Sequence, residues 1–188
     1  MNVSSPRVFR HRRILRISLD AYDHAIRLLA AAVRRRFAPV SAVVGIANGG
    51  LAPAGGISAI LDVPNHRITA KHNPTNAVYI KATGHVTVDL DDMAAALHRQ
   101  QLAGTVLLVD DICGSGATFS TVRSAIDPYL QPDAVVRTVA LCRNAGATLN
   151  PDLWAWTVDD WVHFPWEPPP QTTIAIEELP IPGKVEPA

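Results

Sequence analysis

The sequence predicts an α/β protein with a mostly parallel central sheet flanked by helices. Three observations carry this. Apolar, β-branched runs ("VSAVVGIA", "GTVLLVDD", "AVVRTVALCRN") alternate with helical segments. The runs are apolar at successive rather than alternate positions, so both faces of each strand are buried. Two of them end in loops of small residues, "NGG" and "CGSGAT".

Taken in order, "SLDAYDHAIRLLAAAVRRRF" places Tyr22, Ile26, Leu29 and Val33 at helical spacing, with Ser18 as N-cap. A strand, "VSAVVGIANGG", and a helix of small residues, "LAPAGGISAILDV", follow. "HRITAKHNPTNAVYIKATGHVTVDL" reads as strand, polar connection and second β-rich segment, with a turn at Asn73-Pro74 and a mobile loop around it. "DDMAAALHRQQL" is a short helix; "GTVLLVDD", "GATFSTVRSAIDPYL" and "AVVRTVALCRN" are strand, helix and strand. "LWAWTVDDWVHFPWE" holds all four tryptophans, and the proline-rich end from residue 168 is expected to run extended over the surface.

A chain of 188 residues suits one domain, with a core over about residues 17–167. No apolar run reaches the roughly 20 residues of a membrane span. "MNVSSPRVFRHRRILRIS" lacks the apolar core of a signal peptide, so a cytoplasmic protein is expected. The formal net charge of zero gives no general attraction to nucleic acid, and the basic clusters 10–13 and 34–36 read as solvated faces. Cys113 and Cys142 are too few for a disulfide framework or a structural zinc site and read as buried small apolar residues.

The chemistry concentrates in "VLLVDDICGSGATFSTV". Residues 106–109 form a strand, Asp110 and Asp111 stand at its carboxyl end, and a turn leads into a helix starting near Phe119. Ligands of open parallel sheets bind at that end. The bare backbone of the turn can surround a phosphate, with Ser115 and Thr118 adding hydroxyls. Two carboxylates beside it can hold the vicinal hydroxyls of a sugar or stabilise positive charge developing on its ring. Together these describe a ribose 5-phosphate seat. The alternative is a Rossmann-like turn with acids merely solvated at a strand end.

"VLLVDDICGSGAT" resembles the 5-phosphoribosyl-1-diphosphate (PRPP) signature of type I phosphoribosyltransferases. "VVGIANGGLAPA" resembles their pyrophosphate loop, and "DDWVHFPWE" the base-binding segment of bacterial xanthine/hypoxanthine-guanine-type purine enzymes. The resemblance implies the type I fold, with a small hood from the N- and C-terminal segments and a homodimer. It implies that Asp110 and Asp111 are catalytic, holding the ribose hydroxyls and answering the oxocarbenium-like charge. Cys113, Gly114, Ser115, Gly116, Ala117 and Thr118 would bind the 5-phosphate. Asn48, Gly49, Gly50 and Lys71 would meet the pyrophosphate, although Lys71 also reads as surface. Trp161 would stack on the base with Val162 at its edge, or else belong to the core, and Arg143 would read an exocyclic oxygen or a carboxylate. Mg²⁺ is the implied cofactor, held by PRPP and water, with Asp110 and Asp111 as the alternative direct ligands. Lys81 and His85 fall in the segment that would form a lid.

Two departures stand out. Asn48 replaces an arginine, and Gly114 replaces the aspartate that contacts the purine imidazole and assists proton transfer. The expected reaction is transfer of 5-phosphoribosyl from PRPP to a nitrogen of a purine-like base. A specialised heterocycle, amide or amine as acceptor, or a non-catalytic PRPP sensor, are the alternatives.

Overall fold

The structure, a computed structural model, describes residues 7–71 and 86–187. The Asn73-Pro74 turn, Lys81 and His85 lie outside the described residues. A short strand β1 (Ile14–Arg16) precedes helix α1 (Leu19–Phe37). The Ser18 hydroxyl accepts the Ala21 N–H at 3.2 Å and so caps the helix. Ala25, Ile26, Leu29 and Val33 bury one face, while Arg34, Arg35 and Arg36 fill the last turn, where the dipole favours cations.

Strand β2 (Val40–Ala47), helix α2 (Leu51–Leu61), β3 (Asn65–Lys71), β4 (Thr87–Asp89) and α3 (Asp91–Leu97) come next. They are followed by β5 (Thr105–Cys113), α4 (Ala117–Ile126), β6 (Val135–Asn144) and β7 (Leu153–Val158). Last come β8 (Trp161–His163), β9 (Ile176–Glu178) and β10 (Glu186–Pro187). The main sheet has seven strands in the order β10-β7-β6-β5-β2-β3-β4. Its five inner strands run parallel, and β4 and β10 pair antiparallel at the two edges.

The unbroken apolar character of β5 has a direct cause. Leu107 and Val109 pack with α1 and α2 on one face, and Val106 and Leu108 pack with α3 and α4 on the other. The α/β class and the hood are as the sequence predicts. In the hood, β1 lies between β8 and β9, all parallel, joining the two ends of the chain in a three-stranded sheet.

The proline-rich end departs from expectation. It does not merely cover the surface: β9 completes the hood sheet, β10 pairs with β7, and between them Trp156 donates its indole N–H to the Pro180 carbonyl at 2.9 Å. Unpaired strand edges recruit such a segment whatever its side-chain pattern. Trp154 and Trp156 are buried, whereas Trp166 is 38% exposed and stacks on Phe164. Arg10 and Arg12 are solvated, but Arg13 is partly buried and pairs with Asp159, Asp160 and Glu177. Among the described residues no helix is long and apolar enough to cross a membrane.

Candidate active site

The carboxyl ends of β2 and β5 are neighbours, with Gly45 opposite Val109. Beyond Val109, β5 pairs only with β6, matching Asp110 to Ala140 and Cys113 to Arg143. The strand thus runs four residues past the expected end at Val109, and Asp110 and Asp111 stand on its paired extension, where β2 has turned away. The Asp110 carboxylate accepts the Asp111 N–H at 2.9 Å. Burial and the adjacent Asp111 charge push Asp110 well above the ordinary carboxylate range. Burial also pushes Asp111 up to about 6, opposed by a backbone hydrogen bond from Ile112 and by the Arg7 guanidinium. A buried carboxylate beside a half-buried one is suited to hydroxyl groups or to a growing positive charge.

The β2–α2 turn closes directly on this pair. A Cβ on Gly49 would lie 1.8 Å from Asp111 Oδ2, and one on Gly50 would lie 2.5 Å from the Val109 carbonyl and 2.6 Å from that of Ile46. The peptide between Ala47 and Asn48 is cis. Lys71 ends β3, the strand beside β2, and is exposed at the same end of the sheet.

On the other side, α4 begins at Ala117, two residues before the expected Phe119. Gly116 enters the helix with φ +94°, and a Cβ there would lie 2.4 Å from that of Leu149, so the turn requires glycine twice over. Ser115 Oγ accepts the Ala117 N–H at 3.2 Å, and its carbonyl accepts from Leu149 N and Thr148 Oγ1. Cys113 donates its thiol to the Leu149 carbonyl, and burial pushes it up to about 12. Cys142 is raised still more clearly by burial, as expected of inert thiols.

Trp161 and Val162 lie on β8, with Val162 opposite Leu15 and buried in the core. Arg143 is engaged locally: Nε donates to Asn150, Nη2 donates to the Ala147 carbonyl at 3.2 Å, and the guanidinium lies over Trp154. The Arg7 guanidinium lies over the Trp161 ring, 5.3 Å from its centroid, and over that of Phe9 at 5.4 Å, with the two rings 6.2 Å apart. A Cβ on Gly114 would meet Arg7 Cδ at 3.5 Å. Burial lowers the Arg7 pKa, opposed chiefly by Asp111.

A family model for the phosphoribosyl transferase domain matches residues 18–173. The chain belongs to this family. As a phosphoribosyltransferase it is an enzyme of phosphoribosyl transfer, and the acid pair and both glycine turns fall within the matched residues. Solved phosphoribosyltransferase structures share its fold. A purine phosphoribosyltransferase from Pyrococcus horikoshii Ot3 is 22% identical with a TM-score of 0.67, over 85% of this chain and 97% of that one. The xanthine-guanine-hypoxanthine phosphoribosyltransferase of Helicobacter pylori is 17% identical with a TM-score of 0.65, over 83% and 93%. A hypothetical protein from Neisseria gonorrhoeae with bound ppGpp is 20% identical with a TM-score of 0.63, over 85% and 92%. A comparison with curated protein sequences gives no match.

What sequence reading missed in this phosphoribosyltransferase is the arm before β1. Asn144, fully buried at the end of β6, accepts the Val8 N–H at 2.9 Å and donates to the Val8 carbonyl at 3.0 Å. Asp160, also fully buried, accepts the N–H groups of His11 and Arg12. The ligand atoms of His11, Asp159 and Asp160 lie within 4.8 Å of one another, but Asp160 is already occupied by this backbone and by Arg13. The group is a latch for the arm. Its only signal in sequence was a pair of polar residues, Asn144 and Asp160, at the ends of apolar strands.

Proposed function

We propose that this enzyme transfers the 5-phosphoribosyl group of PRPP to a ring nitrogen of a purine-like base. The C1–O bond to pyrophosphate breaks with its electron pair leaving on pyrophosphate, the C1–N bond forms, and the nitrogen's proton passes to solvent. Asp110 and Asp111 accept hydrogen bonds from the ribose hydroxyls and offset the positive charge that develops at C1. Residues 113–118 receive the 5-phosphate through backbone N–H groups at the start of α4. Asn48, Gly49, Gly50 and Lys71 meet the pyrophosphate, and Trp161 supplies a face for the acceptor ring.

The observation that carries this reading is the contact of Gly49 with Asp111: the missing Cβ brings a bare backbone turn against the acid pair. Ribose and a leaving pyrophosphate need such adjacent seats. Mg²⁺ fits the donor set, since Asp110 and Asp111 offer the oxygen ligands a hard cation prefers. When bound with PRPP it would neutralise charge on the leaving pyrophosphate. We place the enzyme in the cytoplasm as a single-domain homodimer, in keeping with its two unpaired, buried cysteines.

The test is pyrophosphate release from PRPP and Mg²⁺ with hypoxanthine, guanine, xanthine, adenine, orotate and uracil. Release that needs one acceptor and falls by about 10²–10³-fold in Asp111→Asn supports the assignment. Undiminished release in both Asp110→Asn and Asp111→Asn would remove ribose from this seat.

A further inference from the structure

The turn after the acid pair can present N–H groups to an anion only while its peptides keep one orientation. Gly116, at φ +94°, is the joint where that orientation is most easily lost, because glycine tolerates either sign of φ and lets the peptide between Ser115 and Gly116 rotate. That peptide is pinned from outside the turn. The Ser115 carbonyl accepts the Leu149 N–H at 3.2 Å and the Thr148 hydroxyl at 3.1 Å. In a planar trans peptide the N–H points opposite to the carbonyl, so these two bonds aim the Gly116 N–H away from residues 148 and 149. The reverse orientation would present a carbonyl oxygen to an anion in place of a donor. Two further contacts join the same segments: the Cys113 thiol donates to the Leu149 carbonyl at 3.3 Å, and Leu149 fills the space a Cβ on Gly116 would need.

The segment that does the pinning has little of its own to hold it. Thr148, Leu149 and Asn150 are exposed and belong to no helix or strand. Surface segments of this kind open readily unless they are tied down. Arg143, near the end of β6 and paired there with Cys113, supplies the tie. Its Nη2 donates to the Ala147 carbonyl at 3.2 Å and its Nε donates to Asn150 Oδ1, so one guanidinium grips both ends of 147–150. The same group lies over the Trp154 ring, 5.6 Å from its centroid, which fixes its plane. A rigid fork of donors can hold two acceptors at a set separation, which the single ammonium of a lysine cannot do.

We propose that Arg143 is a positioning residue for the 5-phosphate: by clamping residues 147–150 it keeps their donors on the Ser115 carbonyl and the Gly116 N–H turned to the phosphate. This rests on the phosphoribosyl transfer set out above, and it gives Arg143 a task other than reading the base.

The test uses the full chain and measures, by calorimetry, the affinities of ribose 5-phosphate and of Mg²⁺-pyrophosphate, which occupy different halves of the PRPP seat. Arg143→Met keeps an apolar stem against Trp154 and should weaken ribose 5-phosphate roughly 5–20-fold while leaving pyrophosphate within about twofold. Amide hydrogen exchange at residues 115–118 should quicken in the same protein. Arg143→Lys should recover only part of the loss. Thr148→Val, an exposed and nearly isosteric change that leaves Arg143 in place, should weaken ribose 5-phosphate by about 2–5-fold, again without affecting pyrophosphate. Unchanged ribose 5-phosphate affinity in Arg143→Met, or equal losses for both ligands, would overturn the proposal. So would a raised KM for the acceptor base with ribose 5-phosphate unaffected, since Arg143 would then act on the base. Ribose 5-phosphate that fails to bind the wild type would remove the phosphate from this turn and the proposal with it. A selective loss in Arg143→Met, without pyrophosphate release from PRPP by any acceptor in the wild type, would instead sink the transfer reading and leave the role of Arg143 standing.

Discussion

Three glycine-to-alanine substitutions separate the geometry of the site from the stability of the fold. At Gly49 the new Cβ would stand 1.8 Å from Asp111 Oδ2 and 2.3 Å from its Cγ. Ordinary contact is beyond about 3.4 Å, so the carboxylate must swing away by on the order of 1.5 Å. It is the end of a flexible side chain, so this movement costs the fold little, about 1 kcal/mol or less. The same displacement removes it from any ribose it holds, and misplacements of about 1 Å cost roughly 10²-fold in rate. Gly50→Ala differs because its Cβ meets the Val109 and Ile46 carbonyls and lies 2.8 Å from Asp110 Cα, all backbone of β2 and β5. Nothing there can swing aside, and a loss of about 1–3 kcal/mol is expected. Gly55, inside α2, has nothing within 4 Å, and Gly55→Ala should stabilise by about 0.5–1 kcal/mol with turnover unchanged. Urea denaturation and pyrophosphate release, measured on all three proteins, check the series. Wild-type turnover in Gly49→Ala, or wild-type stability in Gly50→Ala, would refute the packing of this turn on the acid pair.

Asp111 also ties stability to pH. With its pKa raised to about 6 in the folded state, its favourable contribution is complete below about pH 4 and is lost as pH rises through 6. The penalty at pH 8 is at most about 3 kcal/mol before solvent screening reduces it, so Asp111→Asn should melt higher than wild type at pH 8 and flatten the pH slope of thermal denaturation. Turnover in the wild type should fall as pH drops through about 6, visible in a pH–rate profile. Asp160→Ala should cost on the order of 1–3 kcal/mol, since it strands the N–H groups of His11 and Arg12, and hydrogen exchange should quicken across residues 8–13. Cys113 and Cys142, both buried and raised by burial, should resist a thiol reagent at pH 8 in the native state and react after unfolding in urea.

The order of strands and helices could be read from the sequence because their cause is local. Burial on both faces forces the strands to be apolar throughout, and α1 announces itself through the spacing of Ile26, Leu29 and Val33 and the cap at Ser18. The acid pair was found for the same reason: Asp110 and Asp111 interrupt an apolar strand, and a glycine turn follows within a few residues.

What the tertiary structure alone decided are meetings between segments distant along the chain. Leu15 lies beside Val162 and Ile14 beside Ile176, pairings made by backbone groups that leave no period in the side chains. Gly49 is bare because Asp111, from another strand, fills the space its side chain would need. Arg7, with only an exposed-looking basic stretch around it, reaches Gly114 and Trp161 because Asn144 and Asp160 hold the intervening backbone in place. Local pattern reports how a residue is buried; which distant residue buries it is settled only when the whole chain has packed.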